Sequence, residues 1–139
     1  MAQQISEVMT RDPKVLDIHS SLAEAARMMR DNDIGFVVVR DQDSICGVLT
    51  DRDLVVRGLA EGADPANTTL ERVASKEIVQ LDSDDSVDKA IELMRARAIR
   101  RLPVVHDGQV VGVVSLGDLA VERDPKSVLG EISAAPANE

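Results

Sequence analysis

GVLTDRDL at residues 47–54 returns as GVVSLGDL at residues 112–119, so the chain carries one pattern twice. Each copy contains a glycine, two apolar residues, a hydroxyl residue, two variable residues, an aspartate and a leucine. The copies lie 65 positions apart, and the same shift aligns Ser21 with Ser86 without a gap. A repeat of this length indicates two copies of one structural unit.

Each copy predicts the element order β-α-β-β-α. Apolar residues at three- and four-residue spacing from Leu22 and from Val87 predict amphipathic helices. The candidate helix caps are Ser20 or Ser21 in the first copy and Asp85 or Ser86 in the second. The Asp107-Gly108 pair predicts a hairpin turn in the second copy. Strands are expected at residues 34–39, 45–49, 102–105 and 110–114, with further helices beginning near Thr50 and Ser115 and the first of these ending near Gly58 to Gly62.

The predicted fold class is α/β (α+β by some schemes), with the two repeats packed sheet to sheet about a pseudo-two-fold axis. A single repeat cannot bury both faces of a two- or three-stranded sheet, so the repeats are expected to share a core. We expect repeat 1 at residues 4–62, a linker at 63–69, repeat 2 at 70–123 and a tail at 124–139, with a short helix at 127–132.

The composition excludes several classes of partner. The net charge of -9 disfavours nucleic-acid and anionic-membrane partners, and Phe36, the only aromatic residue, provides no stacking platform for bases. No apolar run is long enough to span a membrane, and the single cysteine, Cys46, lies in a strand pattern typical of a core thiol. A cytoplasmic protein is therefore expected.

The repeated motif has two interpretations. Thr50 with Asp53, and Ser115 with Asp118, have the spacing of a helix capping box, which requires no ligand. A strand-to-helix junction also directs backbone N–H groups and a hydroxyl toward an anion, while a carboxylate can accept hydrogen bonds from a ribose diol. The sequence leaves open whether the hydroxyl residues only cap or also contact a ligand.

With this repeated motif, the chain resembles the tandem cystathionine β-synthase (CBS) domain pair, or Bateman module, of the stand-alone bacterial type. The resemblance covers residues 4–123 and is carried by Gly47 to Asp53, Gly112 to Asp118, Asp33 to Gly35 and Ile99 to Val105. It implies a regulatory module with two clefts that bind adenosine compounds such as AMP, ADP, ATP or S-adenosylmethionine. It further implies that the motif aspartate of one repeat holds the ribose while strands of the other repeat enclose the base.

Transferred to this sequence, the resemblance implies two sets of ligand-binding residues. One cleft would contain Thr50, Arg52, Asp53, Ile78, Val79, Ile99, Arg100, Arg101 and Leu102. The other would contain Ser115, Gly117, Asp118, Pro13, Lys14, Ile34, Gly35, Phe36 and Val37.

The two clefts are not equivalent. Arg100 and Arg101 offer two cations for phosphate where repeat 1 has Gly35 and Phe36. The cleft that includes Asp53 is therefore expected to bind more tightly. Phe36 either fills the other cleft or forms an intermolecular contact.

No catalytic or metal site is expected, and no cofactor is obligatory. His19 and His106 lack a partner at a useful spacing, and Asp82, Asp84 and Asp85 are typical of a helix start. The alternative to a sensor is a dimerisation or docking module with degenerate clefts and an unidentified protein partner. We also expect a homodimer, because helix faces of the repeats would be apolar.

Overall fold

The structure is a computed structural model that describes residues 4–123 and 128–135. Within these residues it is a mixed α/β protein, as predicted. The strands are β1 (Thr10–Arg11), β2 (Val15–Asp17), β3 (Phe36–Asp41), β4 (Ser44–Thr50), β5 (Leu81–Asp82), β6 (Arg101–His106) and β7 (Gln109–Ser115). The helices are α1 (Leu22–Asn32), α2 (Asp51–Asp53), α3 (Val87–Arg97), α4 (Leu116–Arg123) and α5 (Val128–Ala134).

None of the helices in these described ranges has the length and apolar content that crossing a membrane requires. The predicted tail helix corresponds to α5, which begins at Val128. Residues 124–127 and 136–139 of the predicted tail, including Ser127, lie outside the described residues.

The chain divides into two compact units. The repeat-1 unit is Lys14–Ile78, and the repeat-2 unit combines the residues before Lys14 with those from Val79 onward. Each unit has its own sheet and its own apolar core. The predicted packing of sheet against sheet stays a prediction.

The repeat-1 unit contains a three-stranded sheet in the order β2-β3-β4. Strands β2 and β3 run parallel and are joined by α1, whereas β3 and β4 form an antiparallel hairpin. One face of α1 covers this sheet because its apolar residues recur every three or four positions. The buried core consists of Ile18, Leu22, Ala25, Met29, Val37, Val39, Leu49, Ala63, Leu70, Val73 and Ala74.

The repeat-2 unit contains a four-stranded sheet in the order β1-β7-β6-β5. Strands β5 and β6 are parallel and joined by α3, and the remaining neighbours are antiparallel. The N-terminal part of the chain thus supplies the edge strand β1. The buried core consists of Ile5, Leu81, Val87, Ala90, Met94, Leu102, Val104, Val114 and Leu119.

Of the two candidate caps in each repeat, Ser21 and Ser86 are the ones that cap the first helix. Ser21 Oγ accepts a hydrogen bond from the Glu24 backbone N–H at 3.1 Å, and Ser86 Oγ accepts one from the Lys89 N–H at 3.1 Å. Each bond satisfies one of the backbone donors that the first turn of a helix leaves without an intrahelical partner.

Strand β3 begins two residues later than predicted, because the backbone N–H of Ile34 is used to terminate α1. Asp33 adopts a left-handed conformation with φ of 53°, and the Ile34 N–H donates to the Met29 carbonyl at 3.0 Å. This arrangement terminates the helix and satisfies one of its last carbonyl groups. Ile34 and Gly35 therefore form the connection to β3 and are not part of the strand.

The Asp107-Gly108 hairpin is confirmed. Both residues have positive φ, 49° and 77°, as the two central residues of a type I′ turn require. After β4, helix α2 continues through a π-helical turn (Leu54–Gly58) and a 3-10 turn (Leu59–Glu61) to Gly62, whose φ is 74°. The predicted end of this helical region near Gly58 to Gly62 is also confirmed.

The segments that lead into the repeats are exchanged between the units. Residues 4–13 precede repeat 1 in sequence but pack in the repeat-2 unit, where Ile5 is fully buried. Residues 70–78 precede most of repeat 2 but complete the repeat-1 unit, where Ser75 pairs with Val48 of β4. The compact units therefore do not coincide with the boundaries expected from the sequence repeat.

Candidate functional site: the strand-to-helix motif

In repeat 1 the motif forms a complete capping box. Thr50 Oγ1 accepts a hydrogen bond from the Asp53 N–H at 3.1 Å, and Asp53 Oδ2 accepts one from the Thr50 N–H at 2.9 Å. The other Asp53 oxygen, Oδ1, lies 3.9 Å from Arg57 Nε, within the range of a weak ion pair. The capping interpretation of these two residues is therefore correct.

The motif of repeat 2 has the same geometry. Ser115 Oγ accepts from the Asp118 N–H at 3.0 Å, and Asp118 Oδ2 accepts from the Ser115 N–H at 3.0 Å. Thr10 Oγ1 is also 3.5 Å from Asp118 Oδ2. These contacts all use Oδ2, so among the described residues no hydrogen bond is made to the second oxygen of Asp118.

Each motif lies beside the beginning of the first hairpin strand of its own repeat. In repeat 2, Arg101 is directly opposite Ser115 in the β6-β7 ladder, and the Leu116 N–H donates to the Arg100 carbonyl at 2.7 Å. Repeat 1 is equivalent, with Phe36 opposite Thr50. The hairpin register thus sets two arginines against the repeat-2 motif, and the same register places glycine and phenylalanine against the repeat-1 motif.

A polar cavity of about 380 Å³ opens at this place in the repeat-2 unit. It is lined by Arg100, Arg101, Ser115, Leu116, Gly117, Asp118 and Ser133. Both arginines are exposed, and neither forms an ion pair with another described residue. The cavity therefore has two arginines and one carboxylate, that of Asp118, in its lining, in a chain whose net charge is -9.

The sequence paired Arg100 and Arg101 with the motif of repeat 1, whereas the structure places them beside the motif of repeat 2. Both predicted clefts combine residues of the two units, and both stay predictions.

The remaining residues of the two predicted clefts differ in how far they are buried. Phe36, Val37 and Leu102 are buried, Val79 and Ile99 pack against the repeat-2 core, Pro13, Lys14, Ile34 and Gly35 are half-buried, and Arg52 and Ile78 are exposed.

His106 has neighbours that sequence spacing did not predict. A carboxylate oxygen of Asp82, a carboxylate oxygen of Asp84 and a ring nitrogen of His106 lie within 4.8 Å of one another. Ser83 Oγ is 3.0 Å from His106 Nδ1. The parallel pairing of β5 with β6 creates this group, although a whole helix separates its members in sequence. All three side chains are exposed. In the turn before α3, Asp82 Oδ1 accepts a hydrogen bond from the Asp84 N–H at 2.9 Å, and the Asp82 N–H donates to Asp85 Oδ2 at 2.8 Å.

Cys46 has the environment of a core thiol, as predicted. It packs against the repeat-1 core, and burial raises its pKa above the ordinary value, with smaller contributions in the same direction from Asp41 and Asp17. A raised pKa lowers the thiolate fraction, and the thiolate is the nucleophilic form.

The repeat-2 unit also has an apolar groove of about 510 Å³ between α3 and α4. Its floor contains Met94 and Leu119, and its rim contains Leu116, which is 40% exposed. Ile91, Arg95, Ala98, Ile99, Arg100, Ala120 and Arg123 complete the lining.

The CBS domain family matches residues 5–58 and 70–123, which together are most of the chain. Each match contains one strand-to-helix motif. This chain belongs to the CBS domain family.

Curated relatives include Hypoxic response protein 1 of Mycobacterium tuberculosis, 38% identical over 73% of this chain and 72% of the relative. CBS domain-containing protein YhcV of Bacillus subtilis is 36% identical over 86% of this chain and 84% of the relative. A solved structure of Hypoxic Response Protein I with two coordinated zinc ions has a TM-score of 0.76 at 32% identity, covering 88% of this chain and 99% of that one.

The fold is shared with the CBS domain pair of protein MJ0100, solved in complex with 5'-methylthioadenosine and S-adenosyl-L-methionine. The TM-score is 0.78 at 23% identity, over 89% of this chain and 98% of that one.

Proposed function

We propose that this chain is a non-catalytic, cytoplasmic sensor module that binds an adenosine-containing ligand of the AMP, ADP, ATP or S-adenosylmethionine class. The observation that carries the proposal is the cavity of the repeat-2 unit, where Arg100 and Arg101 lie beside Ser115 and Asp118. Its volume of about 380 Å³ is within the range of small-molecule sites, about 300–1,000 Å³.

The chemistry of the cavity fits a nucleotide. Guanidinium groups form charge-assisted, often bidentate hydrogen bonds with phosphate. Ser115 Oγ accepts its capping bond, so its hydrogen is available to donate to a phosphate oxygen. The second oxygen of Asp118 can accept from a ribose hydroxyl, because the cap uses only Oδ2.

The fold neighbour supports the choice of ligand class. The MJ0100 pair holds two adenosine compounds, which shows that this fold can bind them in that protein. The zinc ions of Hypoxic Response Protein I belong to that structure, and no zinc site is proposed for this chain.

Isothermal titration with ATP and with adenosine tests the proposal. Arg101→Ala should weaken ATP binding about 10-fold or more, because it removes a charge-assisted phosphate contact, and should leave adenosine binding unchanged. Asp118→Ala should weaken the binding of both compounds, because it removes the ribose acceptor. Arg27→Ala is the matched control, since Arg27 is an exposed arginine on α1 and does not line the cavity.

Equal ATP affinity in wild type and Arg101→Ala would contradict the phosphate assignment. Parallel titration of Asp53→Ala tests the tighter-cleft prediction. A greater loss of ATP affinity in Asp53→Ala than in Asp118→Ala would support tighter binding at the cleft that includes Asp53.

A second candidate function is dimerisation or protein docking through the apolar groove between α3 and α4. Exposed apolar surface of this kind marks interaction sites, and Leu116 contributes to it. We propose that a second copy of the chain occupies the groove, with another protein as the alternative. Light scattering at micromolar concentration should give the mass of a dimer, and a monomer mass would refute this second candidate.

A further inference from the structure

The polar cavity has one lining residue that belongs to neither repeat. Ser133 lies on α5, beyond residues 70–123 where the second family match ends. Helix α5 packs against α4, the helix that the repeat-2 motif begins. The C-terminal helix therefore forms a wall of the cavity.

Gly117 makes this close approach possible. A Cβ atom added at Gly117 would lie 2.8 Å from Ser133 Oγ and 3.0 Å from Ser133 Cβ, so the Ser133 side chain would have to shift to make room for it. The equivalent position of repeat 1 is Arg52, whose side chain is exposed. Repeat 2, against which α5 packs, thus has a glycine where repeat 1 has an arginine.

The hydroxyl of Ser133 enlarges a set of donors suited to one anion. Arg100 and Arg101 contribute guanidinium groups, and Ser115 contributes a hydroxyl whose oxygen is already occupied by the cap. A phosphate group carries several acceptor oxygens and is bound best by several donors from different directions. Ser133 approaches the cavity from α5, whereas Arg100 precedes β6, Arg101 begins β6 and Ser115 ends β7.

We infer that α5 completes a phosphate-binding site in the repeat-2 unit, with Ser133 donating a hydrogen bond to a phosphate of the adenosine ligand. The inference rests on the proposed function and makes it more specific: the ligand is a phosphorylated adenosine compound, and its affinity depends on the docking of α5. Because the ligand would contact α5, ligand binding and the docking of α5 stabilise each other.

Two variants of the full chain test this role. Ser133→Ala removes only the hydroxyl, and should raise the Kd for ATP about 5- to 10-fold while leaving the Kd for adenosine unchanged. Gly117→Ala places a Cβ against Ser133, and should weaken ATP binding at least as much. Gly117→Ala should also accelerate amide hydrogen exchange in residues 128–135 without any ligand, because the helix is displaced.

The matched control is Glu131→Gln, which changes an exposed residue of α5 outside the cavity lining and should leave ATP affinity unchanged. If ATP binds wild type and both test variants equally, α5 has no part in the site, and the inference is overturned while the proposed function stands. If neither ATP nor adenosine binds wild type, the proposed function fails, and the inference fails with it.

Discussion

Gly47→Ala should destabilise the repeat-1 unit, because Gly47 lies where the backbone of another segment passes. An added Cβ would be 2.5 Å from the carbonyl oxygen of Ser75 and 3.4 Å from its carbonyl carbon. The neighbouring Val48 exchanges two backbone hydrogen bonds with Ser75, at 2.9 and 3.0 Å. The side chain cannot be accommodated by a rotamer change, so the backbone of residue 75 must move and these bonds must lengthen.

Overpacking of this kind costs about 1–3 kcal/mol, and loss of a net hydrogen bond adds about 1 kcal/mol. A total of about 2–4 kcal/mol with a urea m-value of about 2 kcal/mol/M lowers the unfolding midpoint by about 1–2 M. The midpoint is measured by circular dichroism at 222 nm on wild type and variant under the same conditions.

Gly35→Ala is the matched control, because its added Cβ would meet only the carboxylate of Asp51 at 2.9 Å, and that side chain is exposed. The carboxylate can rotate away, so we expect a midpoint shift of less than about 0.5 M. Equal shifts in the two variants would refute the explanation of Gly47 by close backbone approach.

Two further outcomes are expected. Ile5→Ala should destabilise the protein by about 2–5 kcal/mol, because Ile5 is fully buried in the repeat-2 core. Ile132→Ala is the control, since Ile132 is 67% exposed, and it should change the free energy of unfolding by less than about 0.5 kcal/mol. Similar effects of the two substitutions would contradict the role of residues 4–13 in the core. Cys46 should react with a disulfide reagent at pH 8 more slowly in the folded protein than in urea, because burial raises its folded pKa. The unfolded thiol then ionises at lower pH than the folded one, so this residue's contribution to stability falls as pH rises above about 8.5, and equal reaction rates in both states would contradict the assignment.

Local sequence signals predicted much of the secondary structure. Ser21 and Ser86 cap helices, Asp107-Gly108 forms the hairpin turn, and the strand-to-helix motif forms a capping box. These features depend on contacts between residues that are at most a few positions apart. Such contacts can be read from residue types and spacing without knowledge of the fold.

The rest depends on contacts between residues that are distant in sequence. The position of Arg101 opposite Ser115 follows from hairpin register, and the group formed by His106 with the aspartates follows from parallel strand pairing. Ser133 lies outside the repeat, so self-similarity gave no reason to place it at the site. Gly117 carried the relevant signal, as a glycine where repeat 1 has Arg52, but its reason is visible only when α5 is in place.

The exchange of leading segments has a consequence for synthesis on the ribosome. All of the repeat-1 unit has been translated by residue 78, so this unit can fold while the rest of the chain is still being made. Ile5 and β1 have their partners more than 75 residues later, at Leu81 and along β7, and must wait for them. Contacts of such long sequence separation form slowly, since a large loop must close first. Residues 4–13 are therefore synthesised before the repeat-1 unit but are among the last of the described residues to reach their native positions.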